Sequence, residues 1–322
     1  MLQPQVNDIE LYRALVLLIP IFVWIMLVLT EKFSTQEYAG AFLGFAWQFQ
    51  ASLILNIVLF SSAVCWHFNS TQFLLYEIPL DFIIGQSVAL SAIIFLLLRK
   101  VALYWKLINA AIILIGLYAF SPLTELLSLW WIGISILFVF SVIPSLLIAQ
   151  WTADDTHLYS RSFLQSIIWI SLLMWFFPSI VFEASNFSWD PFLNRMWWKN
   201  LIYLSPLIIP AAILFSALKQ FAIVGRGTAF PFDPPKKLVT KGIYAYLSNP
   251  MQVSICLAMG WWGVVTQSNL ISASAGVAII LFITFKDICN GSCSIAAEDP
   301  NWLIYQKTVP NWIPRLTPWR EL

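Results

Sequence analysis

Apolar runs of about 20 residues recur from one end of the sequence to the other, and few charged residues interrupt them. A helix needs a run of this length to cross a bilayer. Hydrophobic residues make up 60% of the chain and charged residues 10%, which excludes an ordinary soluble enzyme and a disordered chain. The sequence therefore predicts a membrane protein with several transmembrane segments.

These segments are predicted to be helices, because a membrane span must satisfy its backbone polar groups internally and no alternating barrel pattern occurs. The predicted fold is an all-α, polytopic transmembrane helical bundle of about nine spans. The spans are expected at 11–29, 45–66, 79–98, 103–120, 127–149, 163–182, 200–222, 243–265 and 269–285. The first is interpreted as a retained helix, since no basic region of a signal peptide precedes it.

Basic residues predict the orientation of the chain in the membrane. If the connection between the seventh and eighth helices is cytoplasmic, 14 of the 17 Lys and Arg residues lie inside and three outside. The loop 223–242 and the C-terminus are then cytoplasmic, and the N-terminus is outside. The net charge of +1 gives no reason to expect nucleic acid as a partner.

The character of the sequence changes near residue 200. Residues 1–199 form a predicted N-terminal transmembrane region of unknown role, with short loops and no recognisable motif. Residues 200–322 contain a basic loop rich in Gly and Pro, a tight hairpin and a polar tail. Two histidines and four scattered cysteines predict no metal site, and Cys289 and Cys293 are interpreted as spare thiols.

Other polar and aromatic residues are given structural interpretations. Glu77 and Asp81 are four residues apart and are expected to share a helix face near the outer interface. His157, beside Asp154 and Asp155, is interpreted as a solvated loop histidine. The tryptophan pairs 130–131, 197–198 and 261–262 fall near predicted helix ends and indicate an interfacial belt.

The segment 225–251, GRGTAFPFDPPKKLVTKGIYAYLSNPM, carries the clearest pattern in the chain. Gly225 and Gly227 allow the backbone to approach a ligand closely, and three prolines stiffen the residues that follow. Asn249 and Pro250 are expected to break the eighth helix about two turns after its start and to leave free carbonyls at a kink. The alternative is a plain basic loop followed by a Pro-kinked helix.

The spacing of this segment resembles that of isoprenylcysteine carboxyl methyltransferases and phospholipid N-methyltransferases. The resembling pattern is G-x-G-T-x-x-P-x-x-P-P-x-x-L-V-x-x-G-x-Y followed by N-P-M, without gaps. The resemblance implies a C-terminal methyltransferase-like hairpin, S-adenosylmethionine as cofactor, and a lipophilic acceptor such as a lipid, an isoprenoid or a prenylated molecule. The implied cofactor-binding residues in this segment are Gly225, Arg226, Gly227, Thr228, Pro231, Tyr244, Asn249, Pro250 and Met251.

The C-terminal tail extends the resemblance. Glu298 and Asp299 stand where the family has an acidic pair, and 302–315 is an aromatic stretch that ends in a Val-Pro-x-x-x-Pro-like element. The resemblance places Glu298 near the amino group of the cofactor, with Asp299 beside it. Several residues that usually separate the two elements are missing from this chain. No residue is assigned a catalytic role.

Two departures leave alternatives open. The family has Arg before the Asn-Pro pair, where this chain has Ser248, and Gln252 replaces a frequent Tyr. Arg226 or Lys241 could supply the missing cation, or cofactor binding is weaker, or the acceptor is not anionic. The alternative functions are a non-catalytic lipid-binding or transport protein on a degenerate methyltransferase fold, and a sterol-reductase-like membrane reductase that uses NADPH.

Overall fold

The computed structural model describes residues 6–62, 64–69, 73–228, 236–284 and 300–320. Most of these residues are helical. The longer helices are α1 (Val6–Thr30), α2 (Thr35–Ser61), α3 (Leu80–Leu97), α4 (Leu103–Ala119), α5 (Trp130–Ala153), α6 (Leu158–Glu183), α7 (Trp197–Gly225), α8 (Pro250–Thr266), α9 (Asn269–Thr284) and α10 (Pro300–Thr308). Short helical turns occupy Asp190–Leu193 and Gly242–Ala245.

A helix is present at each of the nine predicted positions, with ends that differ by several residues. Six helices in the described ranges are long and apolar enough to cross a membrane: α1, α2, α3, α5, α6 and α7. Helices α4 and α9 are apolar but have 17 and 16 residues. At 1.5 Å per residue they reach about 25 Å, short of a hydrocarbon core of about 30 Å. The structure thus supports an all-α bundle with six candidate spans.

The chain divides into two compact units, Met1–Ile168 and Trp169–Leu322. The division falls inside α6, upstream of the change of character that the sequence has near residue 200. Within the first unit, α2 packs along the second half of α5. A Cβ atom at Gly40 would overlap the carbonyl oxygen of Ala149, and one at Gly44 would lie 2.8 Å from that of Ser145. Small residues four apart therefore bring these two helices into close contact, as is common in membrane bundles.

The first unit buries a stripe of polar side chains within its apolar core and exposes apolar side chains on its surface. Gln48, Ser52 and Asn56 recur every four residues on α2, and all three are buried. Ser52 Oγ lies 2.8 Å from the Oγ atom of Ser141 on α5, so the stripe faces the neighbouring helix. Phe22, by contrast, is 64% exposed and belongs to a long set of outward-facing apolar side chains. This inverted distribution fits a bilayer as the surrounding solvent, because a surface in lipid needs no polar groups.

One end of this unit is closed by short strands. The strand Trp66–Phe68 pairs antiparallel with Thr124–Leu126, and Leu74–Leu75 pairs with Ile78–Pro79. Trp66 is fully buried and donates through Nε1 to Asn56 Oδ1 at 3.1 Å. Tyr118 OH donates to the same oxygen at 3.1 Å, so the end of the polar stripe is hydrogen-bonded to the strands and to α4.

Two of the prolines inside long helices follow widened, π-helical turns. The turn Phe138–Val142 precedes Pro144 in α5, and the turn Leu172–Phe176 precedes Pro178 in α6. Proline has no N–H and clashes with the carbonyl four residues earlier, and a widened turn relieves that clash. The carbonyl of Phe140, left without a partner by Pro144, accepts from Trp47 Nε1 at 3.1 Å.

In the second unit, α8 packs against α7 and α9. Helices α8 and α9 form a helical hairpin, with Gln267 in a left-handed conformation at the end of α8. Ser254 Oγ donates to Pro210 O at 2.7 Å and so joins α8 to α7. At the opposite end of α8, Phe182, Trp262, Val265 and Ile271 form a buried cluster.

Candidate functional site

The site region lies where α7 ends and α8 begins. Helix α7 finishes in the π-helical turn Phe221–Gly225. Arg226 then adopts a left-handed conformation with a φ of 54°, so the residue that turns the chain is the arginine and not either flanking glycine. Gly225, Gly227 and Thr228 are buried, and Arg226 is exposed. The Gly225 carbonyl accepts from the Lys236 N–H at 2.6 Å, which closes the loop at its base.

Tyr244 is the centre of the region. It is buried with Ala217 and Val239, and Phe221, Val224, Ile243 and Met251 pack against this group. The rings of Phe221 and Tyr244 stack with centroids 5.3 Å apart. The structure therefore brings the middle and the end of the 225–251 segment together with the last turns of α7 that precede it.

Gly242 makes the turn that leads into Tyr244. Its φ of +64° is a conformation that glycine adopts without strain. A Cβ atom at this position would lie 2.7 Å from Nε2 of Gln220 on α7. Both the dihedral and the close approach therefore favour glycine at position 242.

The expected kink at Asn249 and Pro250 is wrong. Helix α8 begins at Pro250, and Asn249 precedes it with a φ of −122° and a ψ of 55°. Proline at the first helical position costs no hydrogen bond, because that N–H has no partner within a helix anyway. The Asn249 carbonyl accepts from Val253 N–H at 3.2 Å as part of the first turn. The predicted helix 243–265 is therefore shorter at its start.

The C-terminal tail, 300–320, packs against residues 244–248. Tyr305 OH donates to Tyr244 O at 2.8 Å, and Trp319 N–H donates to Ala245 O at 2.8 Å. Arg315 N–H donates to Tyr246 O at 2.9 Å. Backbone and side-chain bonds thus hold the tail against the segment that leads into α8.

Ser248, the residue that departs from the resembled pattern, anchors this tail. Its N–H donates to Pro310 O at 3.0 Å, and its Oγ lies 2.6 Å from Oδ1 of Asn311, to which the hydroxyl donates. Ser248 therefore connects the start of α8 with the Val-Pro element of the tail. No local pattern in the sequence signals this contact, since it joins residues far apart in the chain.

Two phenols near the site are protonated at neutral pH. Burial raises the pKa of Tyr244 well above its usual value, and the neighbouring Tyr305 raises it further. Burial also raises the pKa of Tyr305. Neither phenol can act as a base at neutral pH, because each stays neutral until the solution is strongly alkaline.

Arg315 is a site residue that sequence reasoning missed. Its Nη1 is buried and has no hydrogen-bond partner among the described residues. A buried guanidinium nitrogen without a partner is unfavourable and fits an anionic group. Of the other predicted residues, Pro231, Glu298 and Asp299 lie outside the described residues, as do Cys289 and Cys293.

Several charged and polar residues of the first unit have contacts that the sequence did not predict. Arg13 is 4% exposed, and its Nε donates to Asp81 Oδ2 at 2.8 Å. Glu77 lies in the turn before α3 with a φ of 65°, so it does not share a helix face with Asp81. The Arg161 guanidinium lies 2.5 Å from Asp155. His157 is exposed in the loop, in agreement with the prediction, and its ring stacks on Trp151 at 4.9 Å.

The aromatic pairs divide between two roles. Trp131, Trp197 and Trp198 are exposed near helix starts, as an interfacial belt requires. Trp262 is buried in the cluster with Phe182, and Trp261 donates through Nε1 to Tyr203 O at 2.7 Å. The interpretation as part of the belt is therefore wrong for Trp262, which lies in the core, whereas Trp261 is half-buried against α7.

No protein-family model, no curated protein and no solved structure matches the chain. Its function is therefore inferred from its own residues.

Proposed function

We propose that this chain is an integral membrane methyltransferase that uses S-adenosylmethionine and acts on a lipophilic acceptor. One observation carries the proposal: residues 239–251 and the tail converge around Tyr244, which packs against the end of α7 immediately before Gly225 and Gly227. These are the stretches whose spacing resembles the membrane methyltransferases. Their convergence gives the linear pattern a common location at one end of α7 and α8.

The proposal includes a topology. Helices α4, α8 and α9 would complete nine spans, with α8 and α9 as the methyltransferase-like hairpin. The loop 223–242 and the C-terminus would face the cytoplasm and the N-terminus would be outside. The tail supports this arrangement, because its bonds to 244–248 hold Arg315 and Arg320 at the same end as the basic loop.

The residues present fit the cofactor in one testable respect. S-adenosylmethionine carries a carboxylate, which would supply an acceptor for the buried Nη1 of Arg315, a donor without a partner among the described residues. We assign Arg315 to that carboxylate, in place of the arginine that Ser248 replaces. Gly225, Gly227 and Thr228 would hold the cofactor along the loop, with Pro231, Asn249, Pro250 and Met251 beside it, and Glu298 and Asp299 near its amino group.

When bound, the cofactor supplies a methyl group already activated on a sulfonium sulfur. The task of the protein is then to orient the acceptor and exclude water, and positioning of this kind can supply roughly 7–11 kcal/mol of the barrier. The buried group around Tyr244 would exclude water from one side of the proposed cofactor site. Tyr244 and Tyr305 stay protonated at neutral pH, so neither is assigned as a base, and the chemical class of the acceptor stays open.

The test is binding of radiolabelled S-adenosylmethionine to the detergent-solubilised full chain. Saturable binding is expected, and Arg315→Gln should weaken it about 10- to 150-fold, because a hydrogen bond to a charged group contributes about 1.5–3 kcal/mol. Lys307→Gln removes an exposed positive charge from α10 and is the matched control. Lipids extracted from cells with and without the protein should differ by one methyl group.

Other results would lead elsewhere. Saturable binding of NADPH without binding of S-adenosylmethionine would support the reductase. Lipid that stays bound to a protein that binds neither S-adenosylmethionine nor NADPH would support a non-catalytic lipid-binding protein. If Arg315→Gln binds S-adenosylmethionine as tightly as the wild type does, the assignment of Arg315 is refuted. The cofactor would then bind through other residues.

A further inference from the structure

A cavity of about 340 Å³ lies between the loop that precedes α8 and the end of the tail. Its walls come from two segments far apart in the sequence. The lining residues are Thr240, Lys241, Gly242, Ala245, Trp319 and Arg320. None of these six is among the residues assigned to the cofactor under the proposed function, so a ligand bound here would be a separate one.

The walls are held in place before any ligand arrives. Gly242 makes a left-handed turn and packs directly against the side chain of Gln220. Trp319 is fixed by the bond from its N–H to Ala245 O and by the Tyr305 ring, whose centroid is 5.4 Å from its own in an edge-to-face contact. The backbone at Gly242 and the Trp319 wall are thus held in place, while the exposed Lys241 and Arg320 side chains would become ordered on binding.

The polar side chains of the cavity are suited to an anion. Lys241 and Arg320 bring two positive charges, and Thr240 brings a hydroxyl that can donate. No carboxylate lines the cavity, and none in the described part of the chain forms a salt bridge with Lys241 or Arg320. An ammonium and a guanidinium on two walls are a common arrangement for phosphate oxygens.

The location favours a lipid as the source of that phosphate. Helix α7 is long and apolar enough to cross a membrane, and it ends shortly before the loop that forms the cavity. The cavity therefore lies close to the level where lipid headgroups begin. Trp319 also suits this level, because indole combines an apolar ring with a polar N–H. Clusters of basic residues at a membrane surface recruit anionic lipids.

We propose that this cavity binds a phosphate group, supplied by an anionic phospholipid, between Lys241 and Arg320. The site is separate from methyl transfer and does not depend on that proposal. It would hold one lipid molecule at the joint between the loop and the tail and would stabilise the docked tail. A soluble phosphate would use the same donors, so the two sources need separate measurements.

The experiment is native mass spectrometry of the detergent-solubilised full chain with added dioleoylphosphatidylglycerol or dioleoylphosphatidylcholine. Thermal unfolding with inorganic phosphate is the parallel measurement. The wild type should retain phosphatidylglycerol in preference to phosphatidylcholine. The double variant Lys241→Gln/Arg320→Gln should lose at least about tenfold in apparent affinity. Lys237→Gln/Lys307→Gln removes the same charge from exposed positions outside the cavity and should keep the lipid.

Other outcomes would change the ligand or remove the site. Stabilisation by inorganic phosphate that needs Lys241 and Arg320, without lipid retention, would keep the anion site but assign it to a soluble ligand. Equal loss of lipid in both double variants, or no anion binding at all, would overturn the proposal. If the cavity variant does not fold, the salt dependence of lipid retention by the wild type decides, because retention that is unchanged by salt excludes the two charges.

Discussion

Tyr305→Phe should release the C-terminal tail from the segment that leads into α8. Tyr305 is 2% exposed, and its OH donates to Tyr244 O at 2.8 Å. The substitution keeps the ring, and with it the edge-to-face contact with Trp319 at 5.4 Å, so packing changes little. What changes is one hydrogen bond and one buried carbonyl oxygen that loses its partner.

The magnitude follows from that change. Leaving a buried acceptor unsatisfied costs about 1–3 kcal/mol, which corresponds to a tail opening about 5- to 150-fold more often. The amide protons of Arg315 and Trp319 report this opening, because they donate to Tyr246 O and Ala245 O in the docked tail. Hydrogen–deuterium exchange of the full chain in detergent, followed on the C-terminal peptides, should show that acceleration.

The control is Tyr159→Phe, which makes the same chemical change at a tyrosine that is 68% exposed in the first unit. Exchange in the tail should not change in this variant. If Tyr305→Phe also leaves exchange of the tail amides at the wild-type rate, the tail does not depend on this hydrogen bond. The contribution assigned to the Tyr305 hydroxyl would then be refuted, and the remaining bonds to 245–248 would be sufficient to hold the tail.

Two further predictions concern the first unit, and thermal unfolding in one detergent measures both. Gly40→Leu should destabilise the chain by about 1–3 kcal/mol, because the new side chain overlaps the backbone of Ala149 and forces α2 away from α5. Asp81→Ala should cost about 3 kcal/mol, the lower part of the range for breaking a buried ion pair, since Arg13 keeps a 3.2 Å contact with Glu10.

Each of these has a control of the same kind. Gly116→Leu introduces the same side chain where a Cβ atom would have no neighbour within 4 Å, so it should be neutral or slightly stabilising. Glu31→Ala breaks a 3.5 Å pair with Arg99 in which Glu31 is 54% exposed, and should cost less than about 1 kcal/mol. Equal losses in the two glycine variants would contradict the close contact of α2 with α5. Equal losses in the two acidic variants would contradict the burial of the Arg13 pair.

The positions of the helices could be predicted from the sequence because length and apolarity act locally. A run of apolar residues forms a helix in a bilayer whatever its neighbours are, since the backbone must bond to itself. The ends were less certain, as Pro250 illustrates: a proline in an apolar run can kink a helix or begin one. The structure has it begin α8, which leaves α8 at 17 residues.

The polar stripe of the first unit has a signal in the sequence that the predictions did not use. Gly40, Gly44, Gln48, Ser52 and Asn56 stand four residues apart on α2, and a helix places such residues on one face. Small and polar residues on one face of an apolar helix predict contact with another helix. The partner face on α5 was not predictable, because nothing in the local sequence specifies which helices pack together.

The site illustrates the same limit at the level of single residues. The 225–251 pattern predicted that its own residues belong together, and the group around Tyr244 is consistent with that. The tail contacts were not predictable, because Ser248, Arg315 and Trp319 meet only after folding brings the tail back to the loop. The sequence accordingly suggested Arg226 or Lys241 for the missing cation. In the structure Arg226 is exposed, and Lys241 lines the cavity between the loop and the tail.

Serine at position 248 and arginine at position 315 are best understood together. Ser248 is short enough for its N–H and its hydroxyl to bond neighbouring tail residues, Pro310 and Asn311. An arginine at position 248 would fill this space with a long, charged side chain. The anchored tail in turn fixes the backbone of Arg315 beside Tyr246. The tail thereby brings an arginine close to position 248, where the resembled pattern has one. Under the proposed function, the positive charge has moved from the loop to the tail, and cofactor binding then depends on the tail being docked.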